Sequence, residues 1–70
     1  MTATAANMAE LEAALENLLA TITRAEQAIQ NSAGLSMIGQ VAIVVDHMAN
    51  ISRADTRYRN ARKAVGYVAA

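Results

Sequence analysis

The first half of the chain carries an uninterrupted heptad repeat of apolar residues. Its members alternate at spacings of three and four: Met8, Leu11, Leu15, Leu18, Ile22, Ala25 and Ile29. Such spacing keeps every member on one face of an α-helix. It is typical of a helix that packs along its length against other helices, in a coiled coil or in a bundle. The repeat predicts a helix from about residue 7 to 32, with Asn7 and Glu10 as a capping box at its start.

A second helix is predicted from about residue 36 to 66. Its densest apolar part has one face made of Met37, Ile38, Val41, Val44, Val45, Met48 and Ile51. On the same projection Ile43 falls away from this face. The stripe continues at heptad spacing through Ala54, Tyr58, Ala61, Val65 and Val68. No glycine or proline interrupts it before Gly66, so one long helix is the favoured interpretation.

The alternative is a break in this second helix near residues 50–52. Ser52 and Asp55 intrude on the apolar stripe, and the pattern Ser52-x-x-Asp55 is that of a capping box. A break at this point would give a three-helix bundle in place of a hairpin.

The segment between the two helices has the composition of a tight connection. Gly34 is placed to adopt a left-handed conformation, Leu35 to fold back on Ile29, and Ser36 to cap the second helix. Short connections between helices produce antiparallel neighbours. The chain has no proline and is rich in alanine, which favours helix throughout. The predicted fold is therefore all-α, a single domain formed by an antiparallel helical hairpin.

A chain of 70 residues is too short to bury a large core by itself. The chain has no cysteine and His47 is its one histidine, so a disulfide and a histidine or thiolate metal site are excluded within one copy. The remaining source of stability is association. We therefore predict that hairpins pair with other copies into a helical bundle, as a dimer or a larger assembly.

Two sets of apolar residues follow from this prediction. The core between the two helices is expected to contain Leu15, Leu18, Ile22, Val41, Val45 and Met48. The interface between copies is expected to contain Leu19, Ile43, Val44 and Met48. The prediction of an interface between copies rests mainly on Leu19 and Ile43. Both lie beside the main stripes, so a second surface is needed to cover them.

The charged residues are separated along the chain although the net charge is zero. An antiparallel hairpin brings Glu10, Glu12 and Glu16 towards the basic end of the second helix. That end carries Arg53, Arg57, Arg59, Arg62 and Lys63. This segment is interpreted either as a solvated face partnered by the glutamates or as a site that grips nucleic-acid phosphates. In the second case Tyr58 could stack on a base.

No motif in the chain indicates an enzyme, a cofactor or a catalytic residue. We expect a structural or adaptor protein that acts through helix-mediated self-assembly or through a partner helix. The alternative is a small nucleic-acid-binding regulator that uses the basic segment. The N-terminus has no basic region typical of a secretory signal, and the apolar run is too short to span a bilayer. A cytoplasmic protein or a part of a soluble assembly is therefore expected.

Overall fold

The computed structural model describes residues 4–66 as two long antiparallel helices. Helix α1 spans Ala5–Asn31 and helix α2 spans Met37–Ala64. The hairpin is 51 Å long and 18 by 17 Å across. The predicted all-α hairpin is confirmed, with each helix ending within two residues of its predicted bounds. Helix α2 is continuous through residues 50–52, so the three-helix alternative is excluded.

Both helices begin at a hydroxyl side chain that caps the first turn. At α1 the cap is Thr4, whose Oγ1 accepts a hydrogen bond from the backbone N–H of Asn7 at 3.0 Å. The predicted capping box of Asn7 and Glu10 is therefore wrong, because the helix starts one turn earlier. At α2 the predicted cap is confirmed: Ser36 Oγ accepts from the backbone N–H of Gly39 at 3.3 Å.

The bend between the helices is closed without a left-handed glycine. The Leu35 N–H donates to the Ser32 carbonyl at 2.9 Å, and the Gln40 side-chain amide donates to the Leu35 carbonyl at 3.2 Å. The left-handed conformation predicted for Gly34 is wrong. It is found instead at Gly66, with φ of 73°, immediately after the C-cap of α2. A glycine there lets the chain leave the helix without a Cβ clash.

The surface along which the helices meet is a heptad repeat whose most buried members are small residues. We call it the seam: Asn7, Leu11, Ala14, Leu18, Thr21, Ala25, Ala28 and Ser32 of α1, and Gln40, Val44, His47, Ile51, Ala54, Tyr58, Ala61 and Val65 of α2. All are buried or partly buried apart from Val44, which is 36% exposed. The most buried are Ala14, Thr21, Ala25, Ser32, Ala54 and Ala61.

Small and large residues alternate across the seam. The register of the contacts at the two ends of the hairpin places Ala14 at the level of Tyr58. One turn further along α1, Leu18 lies at the level of Ala54. A small residue opposite a large one lets two helices approach closely while their side chains still interdigitate. Alanine is thus the residue that this core requires.

Of the six residues predicted for the core between the helices, Leu18 lies on the seam and the other five lie beside it. Leu15, Val41, Val45 and Met48 are between 40% and 60% exposed, while Leu18 and Ile22 are partly buried. The apolar stripe of each helix overlaps the seam in part: Leu11, Leu18 and Ala25 of α1 and the stripe residues of α2 from Ile51 to Val65 belong to both. The other large apolar residues mostly lie one residue beyond a seam position, about 100° around the helix. The two helices therefore pack through the small residues and leave much of the large apolar surface uncovered.

Candidate functional site

One side of the hairpin carries the large apolar side chains. In both helices the residue after a seam position is often apolar, as in Met8, Leu15, Ile22, Val41 and Met48. We call this surface the apolar flank: Met8, Leu15, Leu19, Ile22 and Ile29 of α1, and Met37, Val41 and Met48 of α2, with Val44 at its border with the seam. In an antiparallel pair, equivalent heptad positions of the two helices turn to the same side. The two stripes therefore form one surface.

The predicted interface residues divide between the two sides of the hairpin. Leu19, Val44 and Met48 lie on the apolar flank, at 56%, 36% and 60% exposure. Ile43 is partly buried, and its heptad position is that of Asn50, seven residues later. This heptad position lies on the side of the seam opposite to the apolar flank. Ile43 is therefore separated by the seam from the other three residues.

The opposite side of the hairpin is a polar groove between the helices. Its volume is about 450 Å³. It is lined by Asn17, Thr21 and Arg24 of α1 and by His47, Asn50, Arg53, Ala54 and Arg57 of α2. A second depression of about 480 Å³ continues it towards the open end, where Glu10 joins the lining. We call the first of these the polar groove. Its lining contains three arginines and no carboxylate.

An ion pair crosses between the helices beside this groove. The Arg57 guanidinium donates two hydrogen bonds to the Glu10 carboxylate, at 3.0 Å from Nε and 2.8 Å from Nη2. These bonds lower the pKa of the Glu10 carboxyl; desolvation opposes them by raising it, and the charge of Arg57 lowers it further. They also raise the pKa of Arg57. Both side chains remain nearly half exposed, so the pair orients the helices more than it stabilises them.

The basic segment predicted as one site is distributed around α2. Arg53 and Arg57 line the polar groove. Arg59 pairs with Asp55 on its own helix at 3.0 Å, and the Arg62 guanidinium lies 5.5 Å from the centre of the Tyr58 ring. Lys63 does not line the groove. Residues at successive helical positions point about 100° apart, so these cations do not form a single surface.

Three groove residues had no place in the sequence prediction. Asn17, Arg24 and Asn50 each precede a seam position by one residue, so the helical period turns them into the groove. The same heptad position holds Glu10 and Arg57. The repeat of polar residues one place before the small ones is the signal that would have found them.

Within residues 4–66 no three His, Cys, Asp or Glu side chains lie together as a metal site would require. In the same part of the chain, neither helix is apolar enough over sufficient length to span a membrane. Comparisons with protein-family models, with curated proteins and with solved structures found no match to this chain.

Proposed function

We propose that the protein is an assembly component whose hairpins pair through their apolar flanks into a four-helix bundle. The observation that carries the proposal is the exposure of large apolar side chains beside a seam already filled by small ones. Within residues 4–66, eleven large apolar side chains are between 36% and 84% exposed. Monomeric proteins rarely leave contiguous apolar patches larger than a few hundred Å².

The size of this surface suits a second copy of the chain. Leu35, Ile38 and Val45 lie outside the flank, and the exposed parts of the remaining side chains amount to several hundred Å², comparable with roughly 800 Å² per partner in a standard interface. The flank is also built on straight helices with heptad spacing, which is the geometry that helices of a bundle present to one another.

Charge favours a pairing in which both bends lie at the same end. The apolar residues of α2 on the flank, Met37 to Met48, belong to the bend half of the hairpin. The other half of α2 lies towards the open end of the hairpin, where the chain termini are. On the same side of the helix it carries Asp55, Arg59 and Arg62. With the bends together, the apolar half meets an apolar half. Glu12 of one copy then lies at the level of Arg59 and Arg62 of the other, whereas opposed bends would place Met48 against that charged half.

The first experiment measures whether the chain pairs. Sedimentation at micromolar concentration is expected to give twice the monomer mass for the native chain. Met48→Lys would introduce a charge at the centre of the flank and is expected to give monomers. Ala49→Lys is the matched control, because Ala49 is the next residue, is exposed and points away from the flank. A native monomer at high micromolar concentration, or equal masses for the two variants, would contradict the proposal.

A second experiment measures the orientation of the pair. The chain has no cysteine, so a single cysteine in place of the exposed Ala33 in the bend can carry a spin label. With the bends together, the two labels lie about 20–30 Å apart, the width of a four-helix bundle. With the bends opposed, the separation approaches the 51 Å length of the hairpin. The long distance in a confirmed dimer would overturn the orientation and leave self-assembly intact.

A further inference from the structure

The polar groove is a built cationic site on the side of the hairpin away from the apolar flank. Arg24 comes from α1, and Arg53 and Arg57 come from α2, so both helices supply positive charge to one space. His47 and Asn50 lie between them with further hydrogen-bonding groups. Because the groove and the flank lie on opposite sides of the seam, pairing through the flank leaves the groove open to solvent.

Two of the three arginines are held in position by neighbouring groups. Arg53 donates to the Ala49 carbonyl at 3.4 Å and to Asn50 Oδ1 at 3.2 Å. Arg57 is held by both oxygens of Glu10. A guanidinium that is already oriented loses less conformational entropy when an anion binds to its remaining N–H groups.

We propose that the polar groove binds the phosphate group of a small phosphorylated molecule. Glu10 neutralises Arg57, which leaves the charges of Arg24 and Arg53 in the groove. Their sum of two matches the charge of −1.5 to −2, roughly, that a phosphate monoester carries at neutral pH. Arginine forks also fit phosphate oxygens geometrically, through paired N–H donors.

The rest of the lining indicates the class of molecule. A volume of about 450 Å³ lies within the usual range for small-ligand pockets. The lining amides of Asn17 and Asn50, with the imidazole of His47, suit hydroxyl groups such as those of a sugar. His47 is the one ring in the lining. Single-stranded nucleic acids are usually held by several aromatic side chains on which successive bases stack, and the groove lining contains no Phe, Tyr or Trp, so a sugar phosphate fits it better than a strand does.

The test is a titration of the full-length chain followed through backbone amide resonances at constant ionic strength. The probes are ribose 5-phosphate, inorganic phosphate, ribose and a short single-stranded oligonucleotide. We expect the two phosphates to shift resonances around Arg24 and Asn50, and ribose to leave them unchanged. Ribose 5-phosphate should bind more tightly than inorganic phosphate, because the hydroxyl groups add contacts with the groove amides.

A pair of charge-matched variants locates the binding. Arg24→Gln with Arg53→Gln removes both available groove charges and should weaken ribose 5-phosphate binding by about a hundredfold, near tenfold for each charged hydrogen-bonding partner. Arg59→Gln with Lys63→Gln removes the same charge away from the groove and should change it less than about twofold.

Three results would overturn the proposal. The first is the absence of any shift with ribose 5-phosphate at millimolar concentration. The second is an equal loss of binding in the two double variants, which would show a diffuse electrostatic effect. The third is an oligonucleotide that binds far more tightly than ribose 5-phosphate, which would assign the basic surface to nucleic acid. None of these results bears on whether the flank mediates pairing, since mass is measured separately.

Discussion

Replacing Ala14 by leucine tests whether the small residues are the true contact between the helices. Ala14 is fully buried, at 0% exposure, and lies at the level of Tyr58 across the seam. Leucine adds three carbons where no space is left, so the helices must separate or the side chain must adopt a strained rotamer. Overpacking of this kind costs about 1–3 kcal/mol. For a domain of this size, each kcal/mol lowers the melting temperature by about 4–8 °C.

The matched control is Ala13→Leu at the preceding position. Ala13 is exposed, and leucine and alanine have similar helix propensities, so this change is expected to leave stability nearly unaltered. Thermal melting followed by circular dichroism at one fixed protein concentration compares the two variants. Sedimentation of the same samples separates a loss of folding from a loss of pairing.

The sequence-based core predicts a different outcome. Had Leu15 and Met48 filled the contact between the helices, a larger residue at position 14 would lie beside that contact and add apolar cover. A leucine variant at position 14 that melts at or above the temperature of the Ala13 variant would refute a close-packed seam of small residues.

Three further changes test the contacts that close the hairpin. Glu10→Gln should flatten the dependence of the melting temperature on pH between neutral and about pH 3. In the native chain the pair with Arg57 lowers the pKa of Glu10. The stability that this pair contributes is therefore complete above the ordinary glutamate pKa and is lost as the pH falls through the lowered value. Ser36→Ala should lower the unfolding free energy in urea by about 0.5–2 kcal/mol, since it removes the cap of α2; an unchanged midpoint would contradict that role. Gly66→Ala should lower the melting temperature, because alanine disfavours a φ of 73° by about 1–2 kcal/mol, whereas Gly34→Ala, with open space around the added Cβ, should not.

The features that local sequence determines were predicted well. The absence of proline, the heptad spacing and the serine at position 36 indicated two helices and an antiparallel bend, and these are governed by backbone propensity and capping. Gly34 was misjudged because a glycine near a helix end indicates only that a left-handed conformation is possible. The bend closes instead through Ser32, Leu35 and Gln40, whose hydrogen bonds depend on tertiary placement.

Hydrophobic periodicity predicted the seam face in the second half of α2, through Ala54, Tyr58, Ala61 and Val65, but only part of it in α1 and in the first half of α2. Burying the largest apolar side chains is favoured by area alone, and that criterion selects Leu15 and Met48. Close approach of the backbones selects Ala14 and Thr21 instead. In α1 the apolar repeat and the seam have the same heptad period and share Leu11, Leu18 and Ala25; their other positions differ by one residue, so the period alone does not distinguish them. The polar groove was missed for the same reason, because Arg24 becomes part of a site only once the seam is known.

A core of alanines has an energetic consequence for the assembly. Burying an alanine methyl contributes about 0.8 kcal/mol, whereas a large aliphatic side chain contributes about 1.5–3 kcal/mol. The hairpin seam is therefore a weak source of stability for its length, and ordering each residue opposes it by about 1–2 kcal/mol. The larger contributions to stability lie on the apolar flank. Residues such as Leu19 and Met48 are exposed there, and they stabilise the fold only when a second surface buries them. If a second copy supplies that surface, folding and pairing share one equilibrium, and mass action makes the stability of the helices rise with protein concentration.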